Sequence, residues 1–403
     1  MFKRFLIALF LLLAAFSPAF AQTPIIVGLS GPMTGPSRSL GIEIYRGTVS
    51  YFNYVNSQGG VFGHKILIKA YDDGYNSTRT IRNTIELIEH DKVFGLISYF
   101  GTEPVTRVMP LLKIYEKTDT LLFFPSTGAQ SPRKPPYKEF VINYRPTYSD
   151  EASAIVNNFL RIGLRRIAVF YQADAYGRSG WYGVHSTLAE NNLPIVAEIT
   201  HKKGLNFKSN MTGQVKYLRS FNPDAIISIG AYEPTAAFVR DARMMGWDVP
   251  VARLSVGSDT FVKLLNEASK SLSADLTRNI INTQIFPNYD QTDVPLIREY
   301  RRVFDQFSQL PPANLMKDEY KASKYSYGSL EGYVNAKIFV EILKELGPEL
   351  EKGKIKKAVA KIKKLDIGLD QKISLSDLSG PVYFTTVVDG NLVPLKDFSQ
   401  WKK

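Results

Sequence analysis

Short apolar runs of strand length alternate with helix-length amphipathic segments along most of this chain, and that alternation leaves few folds open. Ile25–Leu29 is a buried-type strand, Gly41–Asn56 a helix ended by Gly59-Gly60, and His64–Tyr71 a second strand turned by Asp72-Asp73-Gly74. Thr78–His90 then reads as a helix and Val93–Ser98 as a strand. One helix between successive strands calls for a mostly parallel sheet with helices on its faces. The rhythm breaks over Phe140–Tyr148 and then resumes. A second set follows: helix Asp150–Ile162, strand Arg166–Tyr171, helix Gly180–Glu190, strand Ile195–Thr200, helix Gly213–Phe221, strand Ala225–Ile229 and helix Thr235–Met245. Two sets of similar size imply two sheets, with a crossing at Tyr144–Tyr148 and a return after strand Ile280–Phe286, at Pro287–Asp290. Leu296–Phe307 and Ser326–Leu346 are long helices, and Val382–Val388 with Leu392–Leu395 are closing strands around Asp389-Gly390-Asn391. The expected division is 22–145 with 288–382 for one lobe, and 146–287 with 383–403 for the other.

Within this frame Phe94–Ala129 carries the strongest hint of a site. Each half is an apolar run that ends in small, polar, Gly-containing sequence: Tyr99-Phe100-Gly101-Thr102 in the first, Ser126-Thr127-Gly128 in the second. In open α/β sheets ligands sit outside the carboxyl ends of the strands. Thr102 reads as an N-cap, Pro104 suits the first helical turn, and Gly101 lets backbone approach a ligand. A free helix start suits a carboxylate. The same residues also fit two ordinary strand–helix turns. In the second set, Tyr171–Gly177, Gly230–Pro234 and Ser255–Asp259 follow strands. If the sheets face each other, these loops share one cleft with aromatic walls, hydroxyls and a few acids, suited to a small polar ligand held without chemistry. Packing of the tyrosines under their own loops is the lesser alternative.

Residues 1–21 have a charged start at Lys3 and Arg4, an apolar run Phe5–Phe16 and small residues up to Ala21. This is a secretory signal peptide with cleavage expected after Ala21, which places the mature chain in the periplasm. The apolar run is short for a membrane span. The chain contains no cysteine, so it makes no disulfides and carries no lipid on an N-terminal cysteine. A mature chain of roughly 380 residues fits two domains. The formal charge is +12, and loss of Lys3 and Arg4 leaves +10, a field that draws in anions. Nucleic-acid signatures are absent, and the run Lys352–Lys364 reads as the wet face of a surface helix. His64, His90, His185 and His201 lack partners at metal-ligand spacing. No phosphate loop, G-x-G-x-x-G or G-x-S-x-G occurs, and no nucleophile–base pair can be assembled. No enzyme, cofactor or metal is therefore expected. Asp72-Asp73 and Asp150-Glu151 read as turn and cap residues.

The run Ile26–Gly35, with Asn56–Ile66 and Tyr71-Asp72-Asp73 after it, resembles the opening of substrate-binding proteins of branched-chain (leucine/isoleucine/valine) amino-acid ABC transporters. The resemblance continues through Phe100-Gly101-Thr102, Phe170–Gly177 and Ser329–Tyr333 and covers essentially the whole mature chain. It implies a type I periplasmic binding fold of two α/β lobes joined by three crossings, the third near Val382–Val388, closing over a ligand like a hinged clamp. It also implies a carboxylate held by Tyr99, Phe100, Gly101 and Thr102 with Ser126, Thr127 and Gly128. An ammonium would be held by Tyr176 and Tyr232 with Asp259 or Glu233. The chain departs from the family pattern where Tyr99-Phe100-Gly101 replaces a serine-rich loop and where Gly257-Ser258-Asp259 replaces the usual acid. These departures widen the ligand to a larger, aromatic or non-amino-acid carboxylate. The implied role is a monomeric receptor that delivers its ligand to a membrane ABC permease; a ligand-sensing module for a membrane receptor is the alternative.

Overall fold

The structure is a computed structural model that describes residues 22–375 and 380–403; the expected leader lies outside the described residues. The chain starts with β1 (Ile25–Gly31), α1 (Arg38–Ser57), β2 (Ile66–Asp72), α2 (Ser77–Glu89), β3 (Gly95–Ile97), α3 (Thr102–Ile114), β4 (Leu122–Phe123) and β5 (Val141–Ile142). These five strands form one parallel sheet in the order β2-β1-β3-β4-β5. There follow α4 (Tyr148–Arg161), β6 (Ile167–Gln172), α5 (Ala175–Glu190), β7 (Ala197–His201), α6 (Thr212–Ser220), β8 (Ala225–Ile229), α7 (Tyr232–Met244), β9 (Val251–Arg253), α8 (Ser258–Leu272) and β10 (Ile280–Gln284). The chain then returns to the first lobe with α9 (Pro295–Phe307), α10 (Tyr327–Leu346) and α11 (Ile355–Lys361), and ends with β11 (Tyr383–Val388) and β12 (Asn391–Pro394). The second sheet runs β12-β11-β10-β9-β8-β6-β7. It is parallel except for the closing hairpin, where β11 pairs antiparallel with both β10 and β12. Asp389 and Gly390 both take positive φ, 49° and 74°, as the two-residue turn of a tight hairpin requires.

The chain leaves the first sheet after Ile142 and enters the second lobe at Tyr148, returns between Gln284 and Pro295, and passes over a third time before Tyr383. The sequence placed that third passage near Val382–Val388, and β11 begins at Tyr383. The run Lys352–Lys364 forms a 3-10 turn at Lys352–Lys354 and one short α-helix, α11, with Ile355 and Ala358 buried. Three helices begin earlier than their sequence suggested or were not seen in it: α5 starts at Ala175, α7 at Tyr232, and α8 begins within Ser-Asp. Their first turns are rich in Gly, Pro, Ser and Asp, which read as loop. Gly177 sits in such a turn because a Cβ there would lie 1.9 Å from the Gln172 carbonyl oxygen.

Lobe I packs α1, α9 and α10 on one face of its sheet through Phe52, Phe123, Tyr300, Tyr333 and Phe339. The Phe123 and Phe339 rings meet edge to face at 4.9 Å. Two glycines bring α1 and α10 into backbone contact. A Cβ on Gly47 would stand 1.8 Å from the Ser329 carbonyl oxygen, and one on Gly332 would stand 2.1 Å from that of Ile44. This close crossing fixes the start of α10 against α1, and both helices contribute walls to the site.

Candidate functional site: a cleft between the lobes

The carboxyl ends of both sheets face one cleft, and two adjacent acids, Asp72 half-buried and Asp73 fully buried, shape its lobe I side. The Asp72 carboxylate accepts the N–H groups of Met33 (2.8 Å), Thr34 (3.0 Å) and Gly74 (2.9 Å). Asp73 accepts from Ser30 Oγ (3.0 Å), Thr80 Oγ1 (3.2 Å) and the Tyr75 N–H (2.8 Å). Burial pushes the Asp73 carboxyl up to about 6, against the lowering effect of these donors. The pair thus pins the two loops that present Pro36 and Tyr75 to the cleft.

Between the lobes lies a chamber of about 170 Å³, lined by Leu40, Tyr75, Phe100, Tyr176, Tyr232 and Val256, with Gln172, Lys203 and Glu233 among its polar walls. Tyr75 and Phe100 stand 5.8 Å apart, and Tyr176 leans on Tyr148 at 4.8 Å. The lobes touch across this chamber. The Tyr232 hydroxyl donates to the Pro36 carbonyl and lies 3.2 Å from Ser39 Oγ. Lys203 pairs with Glu103 across the cleft and sits 4.6 Å from the centre of the Tyr75 ring.

A second, smaller chamber of about 40 Å³ lies towards the crossings and shares Leu40, Phe100 and Val256 with the first. It carries more polar groups than the first, Ser39, Glu43, Ser126, Arg145, Asp259 and Glu331 among them, beside Ile44 and Ile285. Arg145, on the first crossing, donates from Nη1 to both oxygens of Glu331 at 2.8 Å and from Nη2 to Ser255 Oγ at 2.5 Å. Glu151 accepts the Ser255 N–H (2.8 Å) and hydroxyl (3.0 Å) and the Thr283 hydroxyl, and lies 3.7 Å from Arg145. One buried network therefore ties α10 of lobe I, the crossing and lobe II together. Among the described residues no group of three or more His, Asp or Glu gathers at metal-binding reach.

Asp259 also bridges the lobes. Its oxygens accept from Tyr289 Oη and from the Tyr327 N–H, both at 2.9 Å, and burial, with Glu43 nearby, pushes its carboxyl up to about 6. The unfolded value is about 3.9, so the folded form prefers the protonated acid. That preference contributes stability below about pH 4 and is lost as pH rises through 6. Lowering the pH from 7.5 to 5 is therefore expected to stabilise the protein, with Asp259 and Asp73 each contributing about 1–2 kcal/mol. Asp259→Asn keeps an acceptor for Tyr327 and should remove about half of that rise in a pH series of melting curves. An unchanged pH profile would show that Asp259 does not titrate there.

The residues expected from the sequence divide into two groups. Phe100, Tyr176, Tyr232 and Glu233 line the aromatic chamber; Ser126 and Asp259, with Phe100 again, line the polar one. Tyr99 turns the other way, fully buried in lobe I with its hydroxyl 3.1 Å from Thr84 Oγ1. Thr102 does not cap α3; Gly101 holds that position at φ 95°, and Thr102 is the first helical residue. The Thr102 and Thr127 hydroxyls pair with each other at 2.9 Å. A Cβ on Gly101 would strike the Tyr75 ring at 2.2 Å, and one on Gly128 would meet Tyr148 at 2.7 Å. Gly101, Thr102, Thr127 and Gly128 therefore support the walls, and their side-chain positions line neither chamber. Glu233 accepts the Phe207 N–H at 3.2 Å. Tyr75, Leu40, Arg145 and Glu331 were not anticipated; only the flanking Asp72-Asp73-Gly74 turn hinted that Tyr75 closes a post-strand loop.

The family model for periplasmic binding proteins matches residues 24–391, and the chain belongs to that family. The family is one of solute-binding proteins of the periplasm, not of enzymes. Among solved structures, a possible leucine/isoleucine/valine-binding protein of Rhodopirellula baltica is 27% identical with a TM-score of 0.80, over 96% of this chain and 99% of that one. The fold is accordingly the type I periplasmic binding fold. Leu/Ile/Val-binding protein homolog 7 of Brucella suis is 24% identical over 83% of this chain and 80% of its own length. An amino acid binding protein of Pseudomonas aeruginosa is 21% identical over 56% of this chain, and the match spans 59% of that relative. No helix among the described residues is long and apolar enough to cross a membrane.

Proposed function

We propose that this chain is a periplasmic receptor that encloses a small carboxylate-bearing ligand, an amino acid or a related acid, between its lobes and delivers it to an ABC permease. The observation that carries the reading is the aromatic chamber of about 170 Å³ closed by the contact of Tyr232 with Pro36 and Ser39. A cavity walled by aromatic rings with a few placed polar groups suits a small organic ligand, and contacts made only when the lobes meet couple binding to closure. The names of the relatives support an amino acid or a close analogue. The shape of the chamber, with Phe100 and Tyr75 on the lobe I side, favours an apolar or planar body. The closed form is the one a permease would recognise.

The test is Tyr232→Phe. It keeps the ring, which is 5% exposed and part of the lobe II core, and removes the hydroxyl that reaches lobe I. Ligand dissociation should quicken by about tenfold, the equivalent of one hydrogen bond of about 1.4 kcal/mol, while the unliganded melting temperature stays within a degree or two. Unchanged dissociation would remove this contact from the closing mechanism.

A further inference from the structure

The end of lobe II opposite the cleft is basic and carries exposed aromatic rings. Strands β6 and β8 begin there, and α4, α6 and α7 end there. Asp224, just before β8, accepts the N–H groups of Arg165 (2.8 Å) and Arg166 (2.9 Å), and its other oxygen pairs with Lys403. The Lys403 N–H donates to the Ile162 carbonyl at 3.1 Å. This bond sets Lys402 and Lys403 against the end of α4, where Arg161 lies. Arg166 reaches on to the carbonyls of Phe221 and Asn222, and Arg219 on α6 reaches that of Met245 at 2.9 Å. With Lys216, also on α6, these are seven exposed cations. Among the described residues Asp224 is the one carboxylate side chain that pairs with any of them. The side chains of Arg161, Arg165, Lys216 and Lys402 have no hydrogen-bond or ion-pair partner among the described residues.

Solvated lysines and arginines are ordinary on a protein surface. The apolar side chains among them set this end apart. Tyr217 is 44% exposed, Phe221 38% and Met244 53%, and the Tyr217 and Phe221 rings meet at 5.1 Å. The other dense basic segment, Lys352–Lys364, turns Ile355 and Ala358 inward instead. A bilayer with anionic lipids answers both features. Its surface potential attracts Lys and Arg within a Debye length, and aromatic rings settle at the boundary between headgroups and acyl chains. An acidic protein surface would answer the charges but not the rings. We propose that this end of lobe II is a membrane-contact surface, resting on anionic phospholipid headgroups with Tyr217 and Phe221 entering the interface. The cleft then faces away from the bilayer and stays open to solutes. None of these residues lines either chamber, so the proposal stands apart from the receptor reading.

Co-sedimentation of the mature protein with lipid vesicles tests it. The expected result is binding to vesicles rich in phosphatidylglycerol and none to pure phosphatidylcholine at about 50 mM salt, with release at about 500 mM. Arg161→Gln, Arg165→Gln, Lys216→Gln and Lys402→Gln together should weaken that binding by about tenfold or more. A control with Lys357→Gln, Lys363→Gln, Lys364→Gln and Lys372→Gln lowers the net charge equally and should bind as the parent does. Tyr217→Ser with Phe221→Ser should weaken binding by about fivefold. All the replaced side chains are exposed, so the variants should melt with the parent. No binding to phosphatidylglycerol vesicles, or equal binding to both lipids, would overturn the proposal. Equal loss in the two four-lysine-and-arginine variants would also overturn it, because net charge alone would then explain the attraction. Binding to poly-L-glutamate as tight as to the vesicles, with the Tyr217 and Phe221 changes without effect on either, would overturn it in favour of an acidic protein partner.

Discussion

Replacing Arg145 with methionine lowers the unfolding free energy by about 3–5 kcal/mol, the usual cost of leaving buried charges without their partner. The expectation follows from the contacts. Arg145 is 4% exposed and is the cation for Glu331 and Glu151, which are 8% and 0% exposed. Methionine fills much of the volume, so the loss reports charge and hydrogen bonding more than a cavity. Glu331→Gln should cost less, because Arg145 keeps Glu151 and Ser255 as partners. Chemical denaturation of the three proteins gives the ranking. Because the network joins α10, the first crossing and lobe II, Arg145→Met should also loosen the angle between the lobes and weaken ligand binding. Equal stability of Arg145→Met and the parent would mean that the network is replaced at no cost and does not hold the hinge.

Gly47→Ala carries the second large effect. The added methyl would stand 1.8 Å from the Ser329 carbonyl oxygen, 2.7 Å from the Ser329 carbonyl carbon and 2.7 Å from the Tyr333 nitrogen. These are backbone atoms of α10 and cannot swing away as a side chain does. Overpacking of this kind costs about 3 kcal/mol or more, far above the gain in helix propensity of about 1 kcal/mol from replacing glycine by alanine. The displacement would reach the site, since α1 carries Ser39, Leu40 and Glu43 and α10 carries Tyr327 and Glu331. Melting and ligand affinity should fall together. A variant as stable as the parent would show that α1 and α10 can part without consequence.

Most of the fold was legible because it depends on periodicity. Alternating apolar runs and amphipathic helices marked β1, β2, β6, β7, β8 and β10 and the helices between them other than α8, and the break at Phe140–Tyr148 marked the passage between sheets. The two-residue strand β5 was too short to show a period, and α8 was hidden because its first turn follows a glycine in left-handed conformation and begins with Ser-Asp. The aromatic side of the site was also legible: Phe100, Tyr176 and Tyr232 follow strands, and a parallel sheet brings such positions to one edge. The polar side was not. Arg145 and Glu331 are 186 positions apart and meet only because the chain, after crossing to lobe II, returns to lobe I before α10. Tyr99 and Phe100 are neighbours in sequence, yet only one faces the cleft, and nothing local distinguishes them.

The most direct test of the central claim, that the ligand occupies the space between the lobes, is a thermal-shift screen of amino acids and short aliphatic and aromatic carboxylates on the parent protein and on Val256→Trp. Val256 borders both chambers, so an indole there fills the proposed ligand volume. A ligand at about one hundred times its dissociation constant stabilises the folded state by about 2.7 kcal/mol. The expected result is a clear upward shift in the parent with at least one carboxylate and none in Val256→Trp, with the two unliganded proteins melting alike. The same shift in both proteins would place the ligand elsewhere and contradict the interlobe site.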